Sequence, residues 1–240
     1  DLIVQQLKSS GLTSISGIGV DETYFDSDIY FDGRGVSNNP YDAPVGAVSV
    51  NFNSVPVRVT KKGTIHSGEK ETPLLPIMEE LAKGYPAGRH RINICTGGKE
   101  AKEQVACYTT DLFRVLQKEA GIPGKGERGI KLIPKHAKLI YRHKSSKDVK
   151  ELASSFLKYS SNFIANLVYL TCGAKKYGYP ATWDKAERAV NEVLKKRLGK
   201  KTAAAFVQKE GAGLFRGNQV TVRGMLALLK AFRPYAYLLR

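Results

Sequence analysis

Two side chains two residues apart, Ser160 and Asn162, place a hydroxyl and a carboxamide inside an otherwise apolar run. The run reads Val149, Leu152, Ala153, Phe156, Leu157, then Phe163, Ile164, Leu167 and Val168. Its three- and four-residue spacing predicts one buried helical stripe. Ser160 falls on that stripe where a packing residue is expected, and Asn162 lies about 200° further round a regular helix. The two can serve one site only if the backbone breaks between two helices there. Without such a site, Ser160 reads as a helix-break serine bonded to its own backbone. Asn162 then reads as a helix N-cap, and it could be cap and ligand at once. Lys158 reads as a solvated helix residue rather than a catalyst.

Other patterns that could carry chemistry do not hold up in context. Gly124-Lys125-Gly126-Glu127-Arg128-Gly129 spells G-x-G-x-x-G, but it follows a helix end rather than a strand and predicts a flexible turn, not a dinucleotide loop. Cys95, Cys107 and Cys172 show no CxxC and no histidine at metal spacing, so no metal or other cofactor is expected. His66, His90, His136 and His143 are dispersed and read as surface or hydrogen-bonded residues. Cys95 and Cys107 could pair in an oxidising compartment, leaving Cys172 as a buried thiol on an apolar helical stretch.

The elements that must position these residues belong to a chain long enough for one large or two ordinary domains. Apolar content of 42% and charged content of 25% are those of a soluble globular protein. No apolar run reaches the roughly 18 residues that suggest a membrane span, and no basic-then-apolar signal segment opens the chain. Asp1 is not an initiator methionine, so a processed, trimmed or partial chain is expected. The net charge is +16, and residues 144–240 hold 19 lysines and arginines against 6 acidic residues, which is +13 of that excess. Such a basic half could meet an anionic polymer or surface. Its helix-surface lysines (Lys185, Lys195, Lys196, Lys200, Lys201) lack interleaved aromatics, which argues against nucleic acid.

Taken in order, residues 1–10 suggest an amphipathic helix with Leu2, Ile3 and Leu7 on one side and Gly11 as its stop. Leu12 to Val20 alternates toward a strand, and Tyr24 to Asp42 is irregular. Ala47–Phe52 and Val55–Thr60 predict a hairpin turning at Asn53-Ser54. Pro73 opens a helix closed by Gly84, Ile92–Cys95 is a short strand, and 105–120 is helical. Ile130–Ile133 and Lys138–Tyr141 read as further strands, and no repeat stands out. At Ser145-x-x-Asp148, a capping-box-like start, the character turns helical: about 148–175, 182–198 with Thr182 as cap, and 221–232. Ala203–Val207 suits a short strand or helix end, and Gly211-Ala212-Gly213-Leu214 a tight loop. The fold class expected is α+β, with a boundary at 140–147.

Four segments in this order resemble the class C low-molecular-mass penicillin-binding proteins, the D-alanyl-D-alanine carboxypeptidase/endopeptidase family. They are Gly17–Phe25, Tyr41–Asn53, Lys158–Ala165 around Ser160-Ser161-Asn162, and Glu210–Thr221. The last resembles the family's Asp-Gly-Ser-Gly-Leu-Ser loop, with Glu210 for Asp, Ala212 for Ser and Phe215 for Ser. The resemblance implies a transpeptidase-like domain with a β-rich insertion. Residues 1–11 would be its lead-in, 12–143 the inserted domain and 144–240 its helical portion. It also implies serine acyl-enzyme hydrolysis of peptidoglycan stem peptides, inhibition of the intact protein by β-lactams, and a periplasmic or other extracytoplasmic location. Ser160 would carry protons to the leaving amine, Asn162 would orient the substrate amide and the active-site lysine, and Ser161 would point elsewhere. The family's Ser-x-x-Lys nucleophile motif and its Lys-Thr-Gly are not matched. Ser155-Phe156-Leu157-Lys158 spells the first but abuts Ser160, and Lys201-Thr202-Ala203 lacks the glycine of the second. These 240 residues are therefore expected to be inactive alone. The alternative is a catalytically inactive relative that acts as a wall-binding or scaffold module.

Overall fold

The computed structural model describes residues 2–26, 33–95 and 101–239; part of the irregular 24–42 stretch lies outside them. The architecture is mixed, with eight α-helices and seven short strands among the described residues. Two compact units form, Asp1–Glu22 with Val36–Lys144, and Thr23–Gly35 with Ser145–Arg240.

The first unit runs α1 (Leu2–Ser9), β1 (Ile18–Val20), β2 (Ser54–Val59), β3 (Ile65–Ser67), α2 (Pro76–Ala82), β4 (Gly88–Asn93), α3 (Ala101–Glu119) and β5 (Arg128–Ile130). β2 is the centre of an antiparallel sheet of order β3-β2-β4, and β1 pairs with β5 in parallel. Val55, Val57 and Val59 point to one face of β2, as successive side chains of a strand alternate, and bury into one core with Leu75, Met78, Ile92 and Tyr108. A smaller cluster joins Val4 of α1 to Ala120 and Ile122. Val4 is the inward residue, whereas Leu2 and Ile3 of the expected apolar side are 55% and 43% exposed. Residues 2–11 thus lie with the first unit. Residues 23–26, expected within the inserted domain, lie with the second, because Ala181 and the Tyr24–Asp26 backbone exchange hydrogen bonds at 2.8 and 2.9 Å.

The expected hairpin at 47–60 does not form. Asn51, Phe52 and Asn53 instead all take left-handed φ values of 49°, 59° and 47°, and β2 pairs with β3 and β4. Three successive left-handed residues are strained, and a dense bond set holds them. Asn53 Nδ2 donates to the Pro44 carbonyl at 2.8 Å, and Asn53 Oδ1 accepts from Val50 N–H at 3.1 Å. Asn51 Nδ2 donates to the Tyr108 hydroxyl at 2.9 Å, and Arg91 donates to the Asn51 carbonyl at 3.1 Å. Of the further expected strands, Ile130–Ile133 keeps only Ile130, the last residue of β5, and Lys138–Tyr141 does not form; residues 131–148 have no regular structure.

The second unit is α4 (Val149–Tyr159), α5 (Asn162–Tyr177), α6 (Trp183–Leu198), α7 (Lys200–Ala203), the two-residue strands β6 (Phe206–Val207) and β7 (Gln219–Val220), α8 (Val222–Phe232) and a 3-10 helix, Arg233–Leu239. The helix starts follow from their caps. Asp148 and Glu151 form the capping box of α4, shifted from the expected Ser145, and Thr182 Oγ1 accepts from Lys185 N–H at 3.1 Å at the head of α6. α5 and α6 approach closely because Gly173 faces Ala186, where a Cβ on residue 173 would come within 2.5 Å of the Ala186 nitrogen. Replacing Met78, fully buried in the first core, by Ala is expected to lower stability by about 2–5 kcal/mol. Met78→Leu should lose less than about 1.5 kcal/mol; urea unfolding followed by circular dichroism separates the two.

Candidate functional site

The apolar run around Ser160 is two helices, not one. Ser160 closes α4 in the left-handed conformation, φ 51° and ψ 47°, and Ser161 N–H reaches back to the Phe156 carbonyl at 3.0 Å. That backward bond and the left-handed residue before it form a Schellman-type stop, a position that ordinarily takes glycine. The next residue starts α5: Ser161 Oγ accepts from Ile164 N–H at 3.4 Å as N-cap. Capping therefore falls to Ser161, and Asn162 occupies the first helical position. Neither the Ser160 hydroxyl nor the Asn162 amide makes a hydrogen bond among the described residues, so Ser160 is not bonded to its own backbone and Asn162 is not spent on the cap. Ser160 is exposed and Asn162 half-buried.

The buried stripe is narrower than expected. No residue of α4 is buried and Val149 is 74% exposed; α4 packs on the Arg233–Leu239 turn, where Lys150 Nζ lies 4.7 Å from the Tyr237 ring centroid. On α5 the inward face is Phe163, Asn166, Tyr169, Leu170, Gly173 and Ala174, the three- and four-residue period of a helix packed on one side. Cys172 faces out of α5 rather than into the core, and what burial it has pushes its thiol pKa up. Cys95 and Cys107 are not joined: the Cys95 thiol donates to the Ala101 carbonyl at 3.5 Å.

Asn166, one turn after Asn162, is 1% exposed, and its Oδ1 accepts the Gly211 N–H at 2.6 Å. Residues four apart share a helix face, so this bond fastens loop 208–218, between β6 and β7, beside Asn162. Tyr169 adds a second tie, its hydroxyl donating to the Gln208 carbonyl at 2.6 Å. Burial first, then the carboxylates of Glu187 and Glu210, hold its phenol well above the ordinary pKa and keep it a donor. Gly211 is required by contact, since a Cβ there would come within 2.6 Å of the Ala165 carbonyl. Inside the loop, the wholly buried Glu210 accepts from the N–H groups of Ala212 at 2.6 Å, Gly213 at 2.5 Å and Phe215 at 3.4 Å. Asn218 Nδ2 donates to it as well, at 2.7 Å. A carboxylate accepting several backbone N–H groups is stable in a buried site without a cationic partner.

The spacing argument singled out Ser160 and Asn162, and passed over Asn166, Tyr169 and the holding role of Glu210. The available signals were the i, i+4 amide pair on α5 and an acidic residue directly before Gly-x-Gly. The two look-alike motifs lie in helices. Ser155 and Lys158 sit in the body of α4, and Lys201-Thr202-Ala203 is in α7 rather than on a sheet edge. Among the described residues, no three His, Cys, Asp or Glu side chains converge on a possible metal position.

This architecture is that of the penicillin-recognising, transpeptidase-like fold. The chain superimposes on penicillin binding protein 4 (dacB) from Haemophilus influenzae with a TM-score of 0.73 at 18% identity, over 99% of this chain and 58% of that one. A second structure of that protein, complexed with a novel β-lactam, aligns at a TM-score of 0.64 and 17% identity. Residues 96–236 match the D-Ala-D-Ala carboxypeptidase 3 (S13) family, and the chain belongs to it. The D-alanyl-D-alanine carboxypeptidase of Actinomadura sp. (strain R39) is 26% identical over 268 residues, covering 95% of this chain and 48% of that protein. The carboxypeptidase DacB of H. influenzae is 26% identical over 133 residues, 54% of this chain and 26% of its own length. The chain thus spans about half the length of the curated relatives it matches, or less.

Two expectations follow. Ser160→Gly relieves left-handed strain and is expected to raise stability by about 1 kcal/mol, or roughly 2–4 °C in Tm for a chain of this size. Glu210→Ala leaves several loop donors unpaired and should lose about 3 kcal/mol or more, with Glu210→Gln intermediate. Thermal and urea melts read by Trp183, the sole tryptophan, measure both.

Proposed function

We propose that this chain forms the inserted domain (about 12–143) and the helical portion (144–240) of a serine-type D-alanyl-D-alanine carboxypeptidase/endopeptidase. The enzyme would act on peptidoglycan stem peptides through an acyl-enzyme. The observation that carries the reading is the left-handed stop at Ser160. It holds a hydroxyl and, two residues on, an amide at one helix junction, both without a hydrogen bond among the described residues, beside a loop fastened to the same helix.

In the reaction, a serine outside these residues attacks the carbonyl between two D-alanines and water later hydrolyses the ester. Ser160 passes the proton to the leaving amine. Asn162 hydrogen-bonds the substrate amide and the active-site lysine and so orients both. Asn166, Tyr169 and Glu210 fix where the loop stands relative to that pair. β-Lactams, one of which is bound in the H. influenzae neighbour, would acylate the intact protein by the same route. Work on cell-wall peptide implies an extracytoplasmic location, and no described helix is long and apolar enough to cross a membrane.

Fluorescent penicillin tests this. Label is expected on the intact gene product and not on these 240 residues alone, and Ser160→Ala in the intact protein should slow acylation by roughly 10²–10⁴-fold. Absence of label on the intact protein would instead support an inactive wall-binding relative. The replacement of loop hydroxyls by Ala212 and Phe215 is the feature that favours that second reading.

A further inference from the structure

Residues 131–144, the end of the first unit, hold a tandem seven-residue repeat that composition alone does not reveal. Lys131-Leu132-Ile133-Pro134-Lys135-His136-Ala137 is followed by Lys138-Leu139-Ile140-Tyr141-Arg142-His143-Lys144. Lys, Leu, Ile and His recur in register, and a further cation recurs at the fifth place. The segment carries five Lys or Arg residues and no acidic one.

Neither copy forms a helix or strand, and every residue from 131 to 144 except the half-buried Tyr141 is exposed. Leu132, Ile133 and Leu139 are 73%, 69% and 65% exposed, and Ile140 is 48%. Lys131 reaches Glu127 on the surface at 2.6 Å. Lys135, Lys138, Arg142 and Lys144 carry no ion pair among the described residues. The backbone is held in place at a few points, by Lys131 N–H on the Val20 carbonyl and Ile133 N–H on Asp21 Oδ2, at 2.9 and 2.8 Å.

We propose that this repeat is a peripheral docking site for the surface of an anionic lipid bilayer. Each copy brackets an exposed apolar pair with cations, and the two halves of that pattern match the two layers of such a surface. Leucine and isoleucine enter the acyl boundary, while the lysine and arginine stems lie along it with their charges among the headgroups. A hydrophilic polyanion would use the cations and gain nothing from the apolar pairs. Each cation near an anionic leaflet raises partitioning roughly fivefold, and stable attachment needs both signals together. The inference does not depend on the chain's catalytic role.

The test is co-sedimentation of the 240-residue chain with vesicles of phosphatidylcholine alone and of phosphatidylcholine mixed with phosphatidylglycerol. Binding is expected only to the mixed vesicles and should weaken with salt. The triple variant Lys135→Glu, Lys138→Glu, Arg142→Glu should lose about a hundredfold or more. The variant Leu132→Ser, Ile133→Ser, Leu139→Ser, which leaves the charge unchanged, should lose about tenfold or more. Lys195→Glu, Lys196→Glu, Arg197→Glu, the same charge change on α6, should stay within a few-fold of the parent chain. Trp183 emission and circular dichroism check that each variant is folded. The proposal is overturned if the parent chain ignores anionic vesicles, if the serine variant binds as well as the parent, or if the α6 variant loses as much as the repeat variant. The last two outcomes would mean that general positive charge, as for any polyanion, does the binding.

Discussion

Glu210 sits at zero exposure, and its two oxygens gather three backbone N–H groups and the Asn218 amide. A carboxylate can be buried only when such donors surround it, so the loop from Gly211 to Asn218 must curl about this one side chain. The curl in turn leaves the Gly211 N–H pointing outward, where Asn166 takes it. The placement of the loop against α5, and through α5 its relation to the helix junction at Ser160, follows from satisfying that single buried charge.

The same logic of polar satisfaction runs through the first unit in another form. There the left-handed turn at Asn51–Asn53 is held by amide side chains and by Arg91, whose guanidinium also meets Glu69 and the Ser54 hydroxyl. Asparagine tolerates left-handed backbone because its short amide bonds locally. Two asparagines flank the one phenylalanine that does not enjoy that tolerance. In both units an irregular backbone is made rigid by buried polar contacts rather than by ladder bonds, with apolar cores supplying the platform.

Much of this was open to reading from residue order. The helical half, the cap at Thr182, the short strand near 206 and the break near Ser160 all follow from spacing and capping residues. The α+β class and the family were legible from four ordered segments. What was not legible depends on contacts distant in sequence. The pairing of β2 with β4 rather than with residues 47–52 turns on bonds to Pro44, Tyr108 and Arg91. The grouping of residues 23–26 with the helices turns on two backbone bonds to Ala181. The capping role of Ser161 was hidden by its place between the two residues that drew notice, and Asn166 looked like any polar residue on a helix. The tandem repeat at 131–144 could have been seen, but its two copies lie across what reads as two separate strands.

The left-handed serine at the end of α4 has an evolutionary consequence. Glycine suits that backbone better, and a glycine codon lies one nucleotide from a third of the serine codons. Selection for folding alone therefore pushes position 160 toward glycine, and only a use for the hydroxyl opposes it. Across descendants of this chain, the identity of that residue becomes a record of whether its hydroxyl is still under selection.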